Sequence, residues 1–228
     1  MFVDIHTHVD NQSVIKIVDD FSEKILMTWG IHPWDLRHFE RNGTKCGAVE
    51  KFSITESLCE KRISPFRFAP VEMTGVFAVG EVGLDKVHND TFEKQVEVFE
   101  EMIRLSESYH KPMIIHCVRA YSEIIEMRKK TKATMPWVIH GFNSSVETMR
   151  QLLRYDMYIS LGEILYRNEN QAIKILNDIP VERLFLETDV SGRDIKDVYY
   201  KAAALMGCEV EFLCNKIFEN YGRLEAAH

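Results

Sequence analysis

The amino-acid sequence predicts an α/β protein that folds as a distorted TIM-type (β/α) barrel, with seven clear parallel strands and a missing or degenerate eighth. Short apolar runs alternate with segments of helical periodicity, as in a parallel sheet whose strands are joined by helical crossovers. Most of these runs end in polar residues, as barrel strands do at the end that carries an active site. The glycine-rich loop of an open dinucleotide-binding sheet is absent from the sequence, since Gly80–Gly83 reads Gly-Glu-Val-Gly and not G-x-G-x-x-G.

The predicted strands are apolar or β-branched runs that end in polar residues. They are Phe2–His8, Lys24–His32, Val76–Asp85, Pro112–Val118, Trp137–Phe142, Met157–Leu161 and Arg183–Asp189. A further candidate, Val14–Val18, is separated from Lys24 by only a few residues. Because neighbouring parallel strands need a connection of about a dozen residues or more, we expect seven strands, or an eighth that is short and distorted.

Helical periodicity fills the intervals between the strands. After the third strand, apolar residues recur at helical spacing at Phe92, Val96, Phe99 and Ile103. Asp90 with Glu93 predicts the start of that helix, and Ser144 with Glu147 predicts the start of another. The remaining predicted helices are Arg119–Thr131, Asn168–Asp178 and two segments after Ser191.

Length and composition are typical of one globular domain. The chain has 228 residues, of which 46% are hydrophobic, and a single α/β barrel can occupy this length. No linker or low-complexity segment divides it, so we expect a single domain over residues 1–228. The stretch Asp35–Glu72 lacks clear strands and is expected to form helix and irregular cover over one side.

Charge and cysteine content limit the possible partners and compartments. The net charge of −7 argues against extended, non-specific binding of nucleic acid, but it is compatible with a phosphate-bearing substrate at a local metal site. The five cysteines are scattered without a C-x-x-C pair, as in a reducing compartment. No signal peptide or membrane-length apolar run is visible, so we expect a cytoplasmic protein with no membrane association and no obligate protein partner.

The segment Asp4-Ile5-His6-Thr7-His8 carries the first indication of function. Side chains of an extended segment alternate between two faces, so Asp4, His6 and His8 are expected on the same face. Two imidazoles and a carboxylate are suited to a divalent metal. A lone H-x-H pattern by itself favours a half-buried strand whose histidines are hydrogen-bonded, and the other strand ends therefore decide between the two interpretations.

Those other strand ends supply residues of the same chemical kind. The complete set is His6, His8, Glu81, His116, His140 and Asp189. Since these residues terminate parallel strands, they are expected to converge at the mouth of the barrel, where barrel enzymes place their active sites. Any one of them could be a hydrogen-bonded core residue, but ionisable groups are seldom buried without a partner, and the combination favours a metal site.

In this order, the motifs resemble those of the TatD family of metal-dependent hydrolases and deoxyribonucleases. The matching segments are DIHTH (Asp4–His8), GIHPW (Gly30–Trp34), GEVGLD (Gly80–Asp85), PMIIHCVRA (Pro112–Ala120), VIHGF (Val138–Phe142) and LETD (Leu186–Asp189). The resemblance implies a distorted barrel that holds two divalent ions, which could be Zn, Mg or Mn, and sometimes a third.

The resemblance also implies roles for individual residues. It assigns His6, His8 and Asp189 to one ion, and His116 and His140 to the other. Glu81 would bridge the two ions, and Glu81 and Asp189 would take part in catalysis, since a two-metal site activates a water whose proton Asp189 can accept or whose position it can fix.

Four further residues are expected around the ions. The resemblance implies that His32 and Arg119 contact the scissile phosphate, for which a guanidinium is chemically suited. Asp4 and Asp85 are expected to support the ligands without binding an ion themselves. A solvent-exposed position for Arg119 and a helix-capping role for Asp85 are equally compatible with the sequence.

The chain departs from the family pattern at three places. Val190-Ser191-Gly192 follows the last aspartate, where the family usually has a small residue and proline, and Glu163 stands where a small or apolar residue is common. The segment between His8 and Gly30 is also shorter than usual, which predicts the loss of a helix and of a strand. These differences should reshape the pocket and leave the ligands in place.

The sequence therefore supports a metal-dependent hydrolase that cuts phosphodiester bonds, in particular a 3′-end deoxyribonuclease. The expected substrate is DNA or a small phosphate ester. Two alternatives remain open: a phosphomonoesterase or amidohydrolase that acts on a small molecule, and a metal-loaded binding module without turnover.

Overall fold

The computed structural model describes residues 1–9, 12–18, 22–36 and 76–227. Within these residues the strands form one eight-stranded sheet whose order follows the order of the chain. The strands are β1 (Phe2–Val9), β2 (Gln12–Val18), β3 (Glu23–Trp29), β4 (Val76–Asp85), β5 (Met113–Val118), β6 (Trp137–Ile139), β7 (Tyr158–Leu161) and β8 (Leu184–Leu186).

Helices follow the later strands and pack against the sheet. The α-helices are α1 (Phe92–Tyr109), α2 (Tyr121–Thr131), α3 (Val146–Leu153), α4 (Ile164–Arg167), α5 (Glu169–Asp178), α6 (Ile195–Met206) and α7 (Val210–Glu225). Short 3-10 turns lie at Pro33–Asp35, Lys86–Thr91 and Val181–Arg183. None of the helices in these described ranges is long and apolar enough to cross a membrane.

The first three strands form an antiparallel meander, and this changes the predicted strand count. β1 pairs antiparallel with β2, and β2 pairs antiparallel with β3, whereas every later neighbour is parallel. The fold class is confirmed, but the candidate Val14–Val18 lies in a regular strand, β2, with Val14 and Ile15 buried. The expectation of a missing or distorted strand assumed a parallel connection, whereas antiparallel neighbours need only a short turn.

The sheet closes between β1 and the segment after β8. Thr7 forms a parallel bridge with Asp189, whose N–H donates to the carbonyl of His6 (3.0 Å). Beneath this bridge, the carboxylate of Asp4 accepts hydrogen bonds from the backbone N–H (2.9 Å) and the hydroxyl (2.6 Å) of Thr188. Burial raises the pKa of Asp4 to about 7, against the effect of these two bonds. Because β8 is only three residues long, the junction between β1 and the segment after β8 also depends on this side-chain contact.

Helix α6 connects the C-terminal part of the chain to β1. The hydroxyl of Tyr199 donates to the carbonyl of Val3 (2.9 Å) and accepts from its N–H (3.0 Å). Both residues are fully buried, so every polar group of this contact is satisfied inside the core. The ring of Phe2 packs edge-on against Tyr199 at a centroid distance of 5.1 Å, which fixes α6 along the first strand.

Two helix starts differ from the prediction. Asp90 does not cap α1; it lies inside a 3-10 turn that Asp85 caps, and α1 begins after Thr91, which makes no side-chain capping bond. The prediction was wrong because β4 continues directly into this turn. Helix α3 is capped by Ser145, whose hydroxyl accepts from Thr148 N–H (3.1 Å), one residue after the predicted Ser144.

The other predicted helices are confirmed with small shifts. Asn168 caps α5 through the N–H of Gln171 (3.3 Å), and α2 begins at Tyr121, after the predicted Arg119. The expectation for Asp35–Glu72 falls outside the described residues, except at its first two positions. Among the described cysteines, Cys117, Cys208 and Cys214 are free thiols.

The approach of β4 to β5 requires glycine at position 83. Pairing of these strands is interrupted between Val79 and Val82 and resumes with Gly83 opposite His116. A Cβ at Gly83 would lie 1.9 Å from the carbonyl oxygen of His116, and the residue has a φ of +152°. The obstructing atom belongs to backbone and cannot rotate away. The absence of a side chain at Gly83 therefore sets the distance between the strands that carry Glu81 and His116.

We expect Gly83→Ala to lower the free energy of unfolding by about 3 kcal/mol or more, because the clash forces the two strands apart. Urea denaturation followed by far-UV circular dichroism measures the change. Gly222→Ala is the matched control, since a Cβ there meets nothing within 4 Å on helix α7. That control should change stability by no more than about 1 kcal/mol, in the stabilising direction. Equal stability of the two variants would contradict the assigned role of Gly83.

Candidate metal centre

Six of the residues singled out in the sequence meet at the carboxyl ends of the strands. His6 and His8 lie on β1, Glu81 on β4 and His116 on β5, whereas His140 directly follows β6 and Asp189 lies three residues after β8. Three groups, one of which includes His32, each present three ligand atoms within 4.8 Å of one another: His6, His8 and Glu81; His6, His140 and Asp189; and His32, Glu81 and His116. The prediction that strand-end residues converge is therefore confirmed for these side chains.

The carboxylate of Glu81 lies at the centre of this cluster and divides it into two halves. Its Oε2 atom is 3.3 Å from Nε2 of His6 and 3.6 Å from Nε2 of His8. On the same side, Oδ1 of Asp189 is 3.5 Å from both of these nitrogens. These four groups form the first half-site.

The distances within the first half-site fit a single divalent ion. Two ligands at about 2.1 Å from one tetrahedral ion lie about 3.4 Å apart, and all four separations above are close to this value. They are also longer than ordinary hydrogen bonds. Nε2 of His6 is buried and has no hydrogen-bond partner among the described residues, so it is an orphaned ligand atom directed at two carboxylates.

The second half-site surrounds the other oxygen of Glu81. Oε1 is 2.7 Å from Nε2 of His140, 2.8 Å from Nδ1 of His116 and 3.1 Å from Nε2 of His32. The two ring nitrogens of His116 and His140 are 3.3 Å apart. The donor types suit a second ion, but the shorter distances are those of hydrogen bonds to the carboxylate. Binding of an ion would exchange these contacts for metal–ligand bonds.

His32 is arranged as a hydrogen-bond donor and not as a ligand. Its Nδ1 accepts the backbone N–H of Trp34 (3.1 Å), so the neutral ring carries its proton on Nε2. That proton then points to Oε1 of Glu81. Although His32, Glu81 and His116 form a possible metal-binding group by distance, the lone pair of His32 is already used by Trp34.

Two buried carboxylates lie next to the histidines of the second half-site, on the side of each ring that faces away from Glu81. Oε1 of Glu187 lies 3.7 Å from Nδ1 of His140 and accepts the N–H of Gly141 (2.6 Å), while its Oε2 is buried without a hydrogen-bond partner among the described residues. Oδ2 of Asp85 lies 3.8 Å from Nε2 of His116. A carboxylate behind an imidazole fixes the ring orientation and increases its basicity as a ligand.

A pair of hydroxyl groups supports His6 in the first half-site. Nδ1 of His6 is 3.2 Å from the hydroxyl of Ser13 on β2, which in turn accepts a hydrogen bond from Thr28 on β3 (2.9 Å). The antiparallel meander therefore places two polar groups behind a ligand of β1. The sequence interpretation missed both residues because it excluded a regular second strand.

Electrostatic coupling favours the ionised forms of Glu81, His140 and Asp189. Burial disfavours the charge on Glu81, but the field of His140 and hydrogen bonds from His116 and His140 hold the pKa of this carboxyl well below its usual range. Burial likewise disfavours a protonated His140, yet Glu81 and Glu187 raise its pKa well above the ordinary value. For Asp189, the neighbouring imidazoles of His6 and His8 outweigh burial and lower the pKa. An ion that binds here must therefore displace the proton that this environment favours on His140.

The remaining predicted residues lie around this cluster. Asp4 is hydrogen-bonded to Thr188, the residue before Asp189. Asp85 caps the turn after β4, and its carboxylate also lies near the ring of His116, on the side away from Glu81. Arg119 lies one residue beyond β5, is exposed and has a left-handed backbone conformation (φ 55°). Among the described residues its guanidinium makes no ion pair.

The unusual residue Glu163 is neutralised by arginines. Its carboxylate pairs with Nε of Arg167 (2.8 Å) and Nε of Arg193 (3.4 Å), and it is not among the groups that contact Glu81. Val190, in the other unusual segment, is 76% exposed. Glu187 received no role from the sequence, although an acidic residue directly after an apolar run, two positions before Asp189, is a recognisable signal of a functional group.

The chain is similar to several known proteins. It is 31% identical over 166 residues to the Escherichia coli protein named uncharacterized metal-dependent hydrolase YcfH, a match that covers 66% of this chain and 63% of that protein. It is 24% identical over 173 residues to deoxyribonuclease Tat-D of Schizosaccharomyces pombe, covering 74% of this chain and 52% of that protein. The chain thus spans less than two thirds of the length of these relatives.

A solved structure and a family model agree with these matches. The crystal structure of YJJV, a TatD homologue from Escherichia coli, superposes with a TM-score of 0.67 at 21% identity and covers 87% of this chain and 76% of its own. This likeness supports the barrel fold. The sequence model described as TatD related DNase matches residues 1–224. The chain therefore belongs to the TatD related DNase family.

Proposed function

We propose that this protein is a divalent-metal-dependent hydrolase that cuts phosphodiester bonds and removes nucleotides from the 3′ end of DNA. The observation that carries the proposal is the buried carboxylate of Glu81, with the nitrogens of His6 and His8 on one oxygen and those of His116 and His140 on the other. A carboxylate in this position is suited to bridge two cations.

Each half-site has its own proposed ion. His6, His8 and Asp189 would hold one ion, His116 and His140 would hold the other, and Glu81 would serve both. When bound, two such ions polarise the phosphate and activate a water near neutral pH. Mixed imidazole and carboxylate ligands accept Zn, Mg or Mn, so the donor set alone does not select the metal.

Asp189 is the group proposed to orient the attacking water. Its side chain is 32% exposed, in contrast to the buried His6 beside it, so solvent reaches this carboxylate. Because the neighbouring imidazoles of His6 and His8 lower its pKa despite burial, Asp189 is a weak base. Its contribution is therefore to position the water by a hydrogen bond more than to retain the proton.

His32 and Arg119 are proposed to bind the phosphate. The Nε2–H of His32 points into the cluster and can donate to a phosphate oxygen in place of Glu81. Arg119 follows His116 by three residues and offers an exposed guanidinium that can hold two phosphate oxygens at once. Neither residue has to bind an ion for this role.

The central test is hydrolysis of single-stranded DNA labelled at the 5′ end, with Mg²⁺, Mn²⁺ or Zn²⁺ added to metal-free protein. We expect products that shorten progressively from the 3′ end, and we expect Glu81→Ala to lose at least about 100-fold in rate because both half-sites lose a ligand. Glu163→Ala is the matched control, since that carboxylate pairs with arginines outside the cluster.

Two results would reject this proposal in different ways. If the wild-type protein hydrolyses only monoesters or amides, the enzyme acts on a small molecule and the nuclease assignment fails. If wild type and Glu81→Ala behave identically on a panel of phosphate esters with every metal, the protein is a binding module without turnover.

A second prediction concerns metal affinity. Glu187→Gln keeps an acceptor for the N–H of Gly141 but removes the charge behind His140, so we expect the dissociation constant of the bound metal to rise about 10- to 100-fold. Competition with a fluorescent chelator measures this constant. Glu182→Gln, at an exposed position in the turn before β8, should leave it unchanged. Equal affinity of both variants would show that Glu187 does not support a ligand.

A further inference from the structure

An indole ring is exposed beside the metal centre while its polar edge is fixed. Trp34 is 52% exposed, and its Nε1–H donates to Oδ2 of Asp85 at 2.5 Å. A single exposed apolar side chain is ordinary on a protein surface. What distinguishes Trp34 is the group that holds the ring and the residues that lie beside it.

The anchor of this ring is rigid. Asp85 is 1% exposed, and its carboxylate also accepts from the N–H of Val87 (2.8 Å) and contacts Nδ1 of His88 (2.8 Å). The side chain of Gln95 bonds both backbone groups of Asp85, at 2.7 Å and 3.2 Å. A ring held by such an anchor is already oriented before a ligand arrives, which lowers the entropy lost on binding.

The neighbours of Trp34 belong to the proposed catalytic machinery. Its ring centroid is 5.0 Å from that of His32, with an interplanar angle of 86°, and 6.0 Å from that of His116, with an angle of 77°. Val87, whose backbone N–H donates to the carboxylate of Asp85, is 58% exposed. An apolar surface therefore lies directly beside the groups assigned to the phosphate and to one ion.

The surroundings indicate which kind of group this surface receives. A cation is held only weakly over a single exposed ring, and the other rings near Trp34 are the imidazoles of His32, His88 and His116. A flat, uncharged ring next to a phosphate fits both the indole and the metal centre. A nucleobase has this chemistry and stacks on an aromatic side chain irrespective of its identity.

We propose that Trp34 is the stacking surface for the base next to the phosphodiester bond that is cut, and that Asp85 is the positioning residue that holds the indole there. This inference rests on the proposed nuclease function and adds to it a preference among substrates. The site selects a phosphate that carries a neighbouring base over one that carries only sugar, without selecting a sequence.

The test compares two DNA strands that differ only at the nucleotides flanking the last phosphodiester bond. One strand has thymines there, and the other has abasic tetrahydrofuran residues. We expect the ratio of kcat/KM for thymine over abasic substrate to fall about 5- to 150-fold in Trp34→Ala, mainly through KM. Trp34→Phe should keep most of the ratio, since it retains a ring. Tyr200→Ala, which removes an exposed aromatic ring on α6, should not change it.

The alternative role of Trp34 gives a different result. If Trp34 only holds Asp85 and, through it, His116, then Trp34→Ala and Trp34→Phe will lower the rates on both strands equally and the ratio will stay at the wild-type value. That outcome overturns the stacking proposal and leaves the nuclease function intact.

A binding measurement separates this inference from the nuclease proposal. Thymidine 5′-monophosphate should quench the tryptophan fluorescence of the metal-loaded protein, whereas deoxyribose 5-phosphate should not, and Trp34→Phe should abolish the difference. If the wild type cuts no DNA but shows this difference, the nuclease proposal fails and the stacking surface remains. If the two phosphates act alike, the stacking proposal fails.

Discussion

The structure depends on the burial of one carboxylate, that of Glu81. A carboxylate taken out of water costs several kcal/mol unless charged or hydrogen-bonding groups surround it, and Glu81 is 8% exposed. Imidazoles supply these partners, from strands β1 and β5 and from the segments that follow β3 and β6. Three of these rings have a polar side chain behind them, that of Glu187, Asp85 or Ser13, and His32 accepts the backbone N–H of Trp34. The candidate metal centre thus consists of one buried carboxylate, a first layer of imidazoles around it and a second layer of polar side chains behind them.

The way in which the barrel closes determines half of this centre. The sheet is completed by Asp4, Thr7 and Thr188 near the end of a three-residue strand, and Asp189 follows directly. The same short segment therefore joins the two edges of the sheet and delivers a candidate ligand. On the opposite side, the close approach at Gly83 brings Glu81 and His116 together. At the closure of the sheet and at Gly83, the contacts that stabilise the barrel are therefore also the contacts that position the candidate ligands.

Much of the fold and of the site could be predicted from sequence, because ionisable residues at the ends of apolar runs are seldom buried without a partner. This reasoning identified His6, His8, Glu81, His116, His140 and Asp189, which the structure brings together. It failed where the outcome depends on pairing between distant segments. Val14–Val18 became a strand because its partners are antiparallel, and Asp90 lost its predicted capping role because Asp85 fixes the turn before it. Ser13 and Thr28 were missed for the first of these reasons.

The closure by Thr188 has a consequence for the order in which the protein assembles. Asp4 and Thr188 are 184 positions apart, and His6 meets Asp189 over a similar distance in the chain. A growing polypeptide cannot complete the half-site of His6 until almost all of the barrel has been synthesised, and forming so distant a contact is slow. Glu81 and His140 are only 59 positions apart, with His116 between them, so these three residues can meet much earlier. The sequence separations therefore allow the second half-site to form before the first, and only the finished barrel presents both.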